Sequence, residues 1–213
     1  RKTRSRLEFL TDLDSAVQHF FRGLLYKFIL AALIEQHWLK PAGHSHGFGA
    51  LVSYMYAYSF YLFFDFAGYS AFAISISYLF GVHTPENFNR PFLARNIRDF
   101  WNRWHITLSE YMRDMVFWRL SKNLTKRMGS RNSNHAIALS ITVVFLLVGV
   151  WHGLGWQYVA FGVMHAAGVV SHHYYTMWLR KKIGPAKYKA YNENRLIEAL
   201  SVALTFIFVT ASM

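Results

Sequence analysis

The sequence predicts an all-α membrane protein, a polytopic bundle of transmembrane helices that includes amphipathic or re-entrant segments. Three observations predict it. Only 16% of the 213 residues are charged, while 54% are hydrophobic and 18% aromatic; an average soluble domain is about 25% charged. The apolar residues gather into runs of membrane-spanning length. The basic residues, which give a net charge of +12 at pH 7, sit in short stretches between those runs, as they do in cytoplasmic loops. That placement argues against nucleic acid as the partner of the positive charge.

The elements follow in order. The first apolar block, residues 20–39, contains Arg22 and Lys27, so it reads as an amphipathic or partly shielded helix, ended by a loop holding Pro41 and GHSHGFG. Residues 50–82 carry Asp65 as their only charge. As one helix they would run about 50 Å, longer than a core about 30 Å thick, so a break is expected at DFAGYS (65–70). The prolines and asparagines of VHTPENFNRPF mark an ordered loop.

A helix over 97–120 would place Asp99, Asn102, Arg103, Glu110, Arg113 and Asp114 on one side. Phe100, Trp101, Trp104, Leu108, Tyr111 and Met115 would fall on the other, with His105 at the border. Such a helix suits an interface or a protein-lined cavity rather than lipid. The run 136–178 has no Asp, Glu, Lys or Arg and is long enough for two crossings, with WHGLGW (151–156) as the natural break. Two crossings return the chain to one side, so the basic stretches before and after it can both be cytoplasmic. A last apolar helix starts near Leu196.

The chain has no cysteine, so disulfides, thiol nucleophiles and thiolate-held metals are excluded. It opens at RKTRSR without Met or a signal-peptide pattern and stops inside an apolar run. The expectation is a single membrane-embedded domain over 1–213, the C-terminal part of a longer core, and inactive by itself.

His152, in GVWHGLGW, is the sharpest candidate for chemistry. It ends an apolar helix beside a glycine-permitted break, where an ionisable group at membrane depth is costly and by default functional. Burial would keep its imidazole neutral, the form a general base needs; the alternative is a packing histidine hydrogen-bonded between helices. His105 is the second candidate, with an interfacial packing role as its alternative. Asp65 is expected to pair with one of Arg95, Arg98, Arg103 or Arg113, because an unpaired buried charge is hard to tolerate. Asp99 with Arg103, and Glu110 with Arg113, have helical pairing distance. His44 with His46, and His172 with His173, lack the further ligands a metal needs, and His165 reads as a packing or supporting residue.

The blocks YSFYLFFDFAGYS, TPENFNRPF, DFWNRWHITLSEYMRD and GVWHGLGW together resemble the membrane-bound O-acyltransferase family. The wording is nearer its D-alanyl-transferring branch than its alginate O-acetyltransferase branch. The resemblance covers essentially the whole chain and implies a family protein about twice as long. It implies acyl transfer across a membrane, with His152 taking the proton from an acceptor hydroxyl and His105 positioning a substrate or steadying developing charge. Trp151, Trp104, Ser109, Asn102, Asp65 and Arg103 would line or support the substrate passage. No bound cofactor or metal is implied. The donor would be a D-alanyl thioester on the 4′-phosphopantetheine arm of a small acidic carrier protein, and the acceptor a teichoic acid hydroxyl. Other membrane proteins of the D-alanylation pathway would be partners. The basic residues at 119–131 would attract the carrier, or only set topology. GVMHAAG departs from the family's usual pattern around His165, which weakens a catalytic role there. A polysaccharide O-acetyltransferase and a transporter fragment are the competing readings.

Overall fold

Ser5 starts the first helix: its hydroxyl accepts from the Glu8 amide at 3.2 Å, and the Glu8 carboxylate accepts from the Ser5 amide at 2.8 Å. This reciprocal pair satisfies two otherwise orphaned donors. The computed structural model describes residues 5–213, and the chain forms two compact units, residues 5–88 and 89–212.

In the first unit, α1 runs Arg6–Gly43, passing through π-helical stretches at Leu24–Ala31 and Glu35–Leu39. After a short loop, α2 runs Phe48–Leu79 as one continuous helix of 32 residues. The two pack antiparallel. The Ser75 hydroxyl donates to the Ala16 carbonyl at 2.7 Å near one end, and the Trp38 indole donates to the Ser53 hydroxyl at 2.9 Å near the other.

The break expected at DFAGYS is therefore absent, and the reason lies in the neighbouring helix. Asp65 is held by Lys27 of α1, not by any of the four arginines expected to pair with it. At Gly68 a Cβ would lie 2.7 Å from the Lys27 backbone nitrogen. The small and polar residues of this stretch serve close helix packing and a charge pair, so the helix has no need to unwind. At 1.5 Å per residue α1 and α2 are about 57 and 48 Å long, so each must tilt or extend past the hydrocarbon core.

The loop after α2 is tied back to the same hairpin. Glu86 accepts from Arg22 at 2.7 Å and lies 3.0 Å from His19, His83 meets Asp12 at 2.8 Å, and the Asn87 amide donates to Ser70 at 3.2 Å. Burial raises the cost of charge on Glu86, but the Arg22 and His19 hydrogen bonds outweigh it and hold the carboxyl below its ordinary value.

In the second unit a 3-10 turn at Pro91–Leu93 leads to α3, Ile97–Trp101, whose N-terminus is capped by the Asn96 side chain accepting from the Asp99 amide at 2.9 Å. A turn follows, then α4 at Ile106–Met112 and a π-helical stretch at Arg113–Phe117. Next come α5 at Trp118–Met128, α6 at Ser133–His152 and α7 at Trp156–Glu193. The kink in α7 falls at Gly184, with φ 79°, just before Pro185. The last helix, α8, is Arg195–Ser212.

The single amphipathic helix expected over 97–120 is thus interrupted between residues 101 and 106. Trp104 turns inward and stacks on Phe100 at 5.5 Å, and the left-handed conformation of His105 ends the helical phase. The faces read from an unbroken helix do not carry across that turn. Both local ion pairs form: Arg103 with Asp99 at 2.8 Å and Arg113 with Glu110 at 3.6 Å.

The α6–α7 hairpin breaks where expected, at WHGLGW. It is tight because Gly149 and Gly162 face the opposing backbone: a Cβ at Gly149 would lie 2.4 Å from the Tyr158 carbonyl oxygen. Among the described residues, four helices are long and apolar enough to cross a membrane: Arg6–Gly43, Phe48–Leu79, Ser130–His152 and Arg195–Ser212. α7 is not one of the four; its first half carries His165, Ser171, His172 and His173 within the apolar run.

Candidate active site

Every feature described below except Asp65 lies within the second unit. His105 is the cap residue before α4, and its backbone sits in the left-handed region at φ 46°. A non-glycine residue there is uncommon and concentrates at functional sites. Surrounding contacts hold the turn: the His105 carbonyl accepts from the Ser109 amide at 3.0 Å, and the Asn89 amide donates to the Arg103 carbonyl at 2.9 Å. The Ser109 hydroxyl donates to the Trp104 carbonyl at 3.4 Å. Ser109, Arg103 and the buried Trp104 thus shape this turn. Asn102 is exposed on it.

His105 is half-buried. Burial, and after it the nearby His152, push its imidazole down to about 4. It is a neutral ring at physiological pH.

His152 is the final residue of α6 and is exposed rather than enclosed, in contrast to the burial the sequence suggested. Its ring is nonetheless held. Trp151 lies 4.8 Å away, Phe161 meets it edge-on at 5.5 Å, and Tyr158 lies near-parallel at 6.3 Å. Trp151 also approaches His105, at 6.2 Å between ring centroids. The two candidate histidines therefore converge on one indole. Asp65 lies in the first unit, in its pair with Lys27.

Behind this pair stands a network whose members sequence reading did not connect. His165 is fully buried. Its Nδ1 accepts from the Trp101 indole at 3.2 Å, which leaves Nε2–H to donate to the Ser212 hydroxyl at 3.2 Å. Ser212 in turn donates to the Val209 carbonyl at 3.1 Å. Phe161 lies 4.4 Å from the His165 ring, between it and His152. Trp101 ends α3, directly before the His105 turn, so His165 pins that turn to α7 and α8. The signal available in sequence was a single histidine in an apolar run, with no spacing that pointed to Trp101 or Ser212.

Beside the pair lies a cavity of about 840 Å³ between the 98–125 segment and the α6–α7 hairpin. On α6 it is lined from Ile137 to Val148, about 17 Å along the axis, and ends one helical turn short of His152. Asn102 and Ser109 line it, with Lys122, His172 and His173; neither His105 nor His152 does. A smaller cavity of about 410 Å³, bounded by Arg95, Asp99 and Arg103, shares Arg98, Asn102 and His172 with the first. Among the described residues no three histidine or acidic side chains gather as a metal site.

Bilayer-length helices, with two imidazoles at helix ends against one indole, define a polytopic membrane protein with a candidate acid–base centre. The model of the membrane-bound O-acyltransferase family matches residues 15–208, and the chain belongs to that family. It is 40% identical over 212 residues to a teichoic acid D-alanyltransferase of Bacillus subtilis, covering 98% of this chain and 52% of that protein. To the teichoic acid D-alanyltransferase of Streptococcus thermophilus it is 39% identical over 220 residues, with the same coverage of each. A probable alginate O-acetylase of Pseudomonas aeruginosa is 31% identical over 198 residues, covering 91% of this chain and 33% of that protein. The chain spans about half the length of the two D-alanyltransferases.

Proposed function

We propose that this chain carries the reacting centre of a membrane O-acyltransferase that moves a D-alanyl group from a carrier-protein thioester to a teichoic acid hydroxyl. The observation that carries the reading is the convergence of His105 and His152 on Trp151 at two helix breaks. Its substrate class rests on the likeness to the two D-alanyltransferases over 98% of the chain.

In the reaction, His152 accepts the proton of the acceptor hydroxyl as its oxygen attacks the thioester carbonyl. The new C–O ester bond forms, the C–S bond breaks, and the proton passes to the departing thiolate. His105, neutral and half-buried, donates or accepts a hydrogen bond without adding charge, and so orients the reactants. No covalent enzyme intermediate is needed. The cavity beside α6 suits the extended 4′-phosphopantetheine arm of the donor, since it leads towards His152 and stops one turn before it. The basic residues of the 119–131 stretch would receive an acidic carrier protein.

The test is His152→Ala in the intact protein. D-alanyl transfer should fall about 10²- to 10⁴-fold while the fold is retained, because the side chain is exposed. Undiminished transfer would remove the catalytic reading. Offering the same protein D-alanyl and acetyl donors separates this reading from polysaccharide O-acetyl transfer.

A further inference from the structure

Among the described residues the charges around the two cavities are paired, except for Arg98 on the wall they share and Lys122 on the larger cavity. Arg103 engages Asp99 at 2.8 Å, and Arg95 engages Glu198 at 2.5 Å. Arg113, on the larger cavity, is engaged by Glu110 and Asp114. Among the described residues Asp99 is the only carboxylate lining either cavity. Its second oxygen accepts from the Arg95 amide at 3.0 Å.

Arg98, which lines both cavities, has no ion pair or hydrogen-bonded side chain among the described residues. His172 and His173 line the larger cavity with it, and His172 lines the smaller one too. The Nε2 of His173 is buried and without a hydrogen-bond partner among the described residues. Lys122 adds a second cation to the lining of the larger cavity. A guanidinium without a counter-charge and a buried imidazole nitrogen without a partner, on two residues that line the larger cavity, lack the same thing: an oxyanion that accepts hydrogen bonds from both. The rest of the larger cavity is walled chiefly by apolar side chains such as Leu108, Ile141 and Val144, with Ser109, Ser121 and Thr125 among them, so it suits an anion that carries an extended chain.

We infer that Arg98, His172 and His173 form a binding site for a phosphate ester, with the ester's chain lying along α6. Two sources share this chemistry, the phosphodiester of a phosphopantetheine arm and the headgroup of an anionic membrane lipid. The first rests on the acyl-transfer reading above; the second is independent of it. Arginine supplies the fork geometry that phosphate oxygens match, and His173 Nε2–H supplies a further donor from the buried side.

The experiment uses the intact protein with Arg98→Leu and His173→Phe, and with Arg98→Lys as the variant that keeps the charge. Three measurements are made: acyl-transfer kinetics with the charged carrier, binding of 4′-phosphopantetheine alone, and native mass spectrometry after reconstitution in vesicles of anionic or zwitterionic phospholipid. If the donor arm is the occupant, Arg98→Leu and His173→Phe raise KM for the carrier about tenfold, with kcat within about twofold. The same variants weaken binding of 4′-phosphopantetheine, and Arg98→Lys recovers most of both. If a lipid is the occupant, carrier KM is unchanged, and an anionic phospholipid retained by the wild type is lost from both variants. A wild type that transfers no acyl group overturns the function proposed above but leaves the two binding measurements standing. Variants that match the wild type in KM, 4′-phosphopantetheine binding and lipid retention overturn the phosphate site.

Discussion

Replacing His165 with Leu tests whether the buried Trp101–His165–Ser212 network positions the candidate site. Leucine approximates the volume of the imidazole and cannot hydrogen-bond. The Trp101 indole N–H loses its acceptor, and a buried donor left unmade costs about 1–3 kcal/mol. Ser212 keeps its bond to the Val209 carbonyl, so losing the histidine on its other side costs about 1 kcal/mol. The expected destabilisation is about 2–4 kcal/mol, large against the total stability of a typical protein. Equilibrium unfolding of the intact protein in mixed micelles measures it. The sharper readout is a double-mutant cycle with Trp101→Phe: a direct bond gives a coupling of about 1–2 kcal/mol. Because Trp101 directly precedes the His105 turn, His165→Leu should also lower kcat with little change in KM. A cycle additive within about 0.3 kcal/mol would refute the network as the link, however large the single effects.

Three further outcomes are expected. Gly149→Ala forces a Cβ against the Tyr158 carbonyl oxygen, so the α6–α7 hairpin must separate, at a cost of about 1–3 kcal/mol measurable by the same unfolding assay; an unchanged midpoint would contradict the tight packing. Lys27→Met leaves Asp65 without its cation and should destabilise the first hairpin more than the double change Lys27→Met with Asp65→Leu; a double variant no more stable than the single one would contradict that. His105, with a folded value of about 4 against an ordinary 6.5, binds its proton more readily unfolded than folded. The stability it contributes is therefore complete above pH 6.5 and lost as pH falls towards 4, and an NMR titration of its ring with a midpoint near 6.5 would show the burial argument wrong.

The parts of the fold legible in sequence are those where composition and a backbone signal coincide. WHGLGW offered glycines inside an apolar run, and the chain breaks there between α6 and α7. DFAGYS offered small and polar residues inside an apolar run too, yet α2 passes through it unbroken. The difference is a partner: Lys27 takes the Asp65 charge and its backbone occupies the space above Gly68, and neither fact is local to the segment. The 97–120 stretch failed in the opposite sense. NRWH contains no glycine or proline, so nothing local announced that His105 would turn left-handed and reset the helical phase. His105 and His152 were recognisable one by one. Their meeting at Trp151, and the His165 pin behind it, depend on long-range contacts that periodicity does not encode.

Both candidate histidines stand at a helix end, one at the start of α4 and one at the close of α6, and that placement fits a division of labour. A helix interior spends its backbone groups on itself, whereas a break frees a side chain to project and lets the chain reverse around it. His152, exposed at its helix end, is the ring an incoming hydroxyl can reach. His105 is half-buried and kept neutral, and its neutrality matters to its neighbour. If His105 were a cation beside Trp151, a proton arriving on His152 would meet like charge at close range. A neutral His105 removes that opposition while still offering one donor and one acceptor to a substrate. The burial that would disqualify His105 as a base is thus what lets His152 act as one.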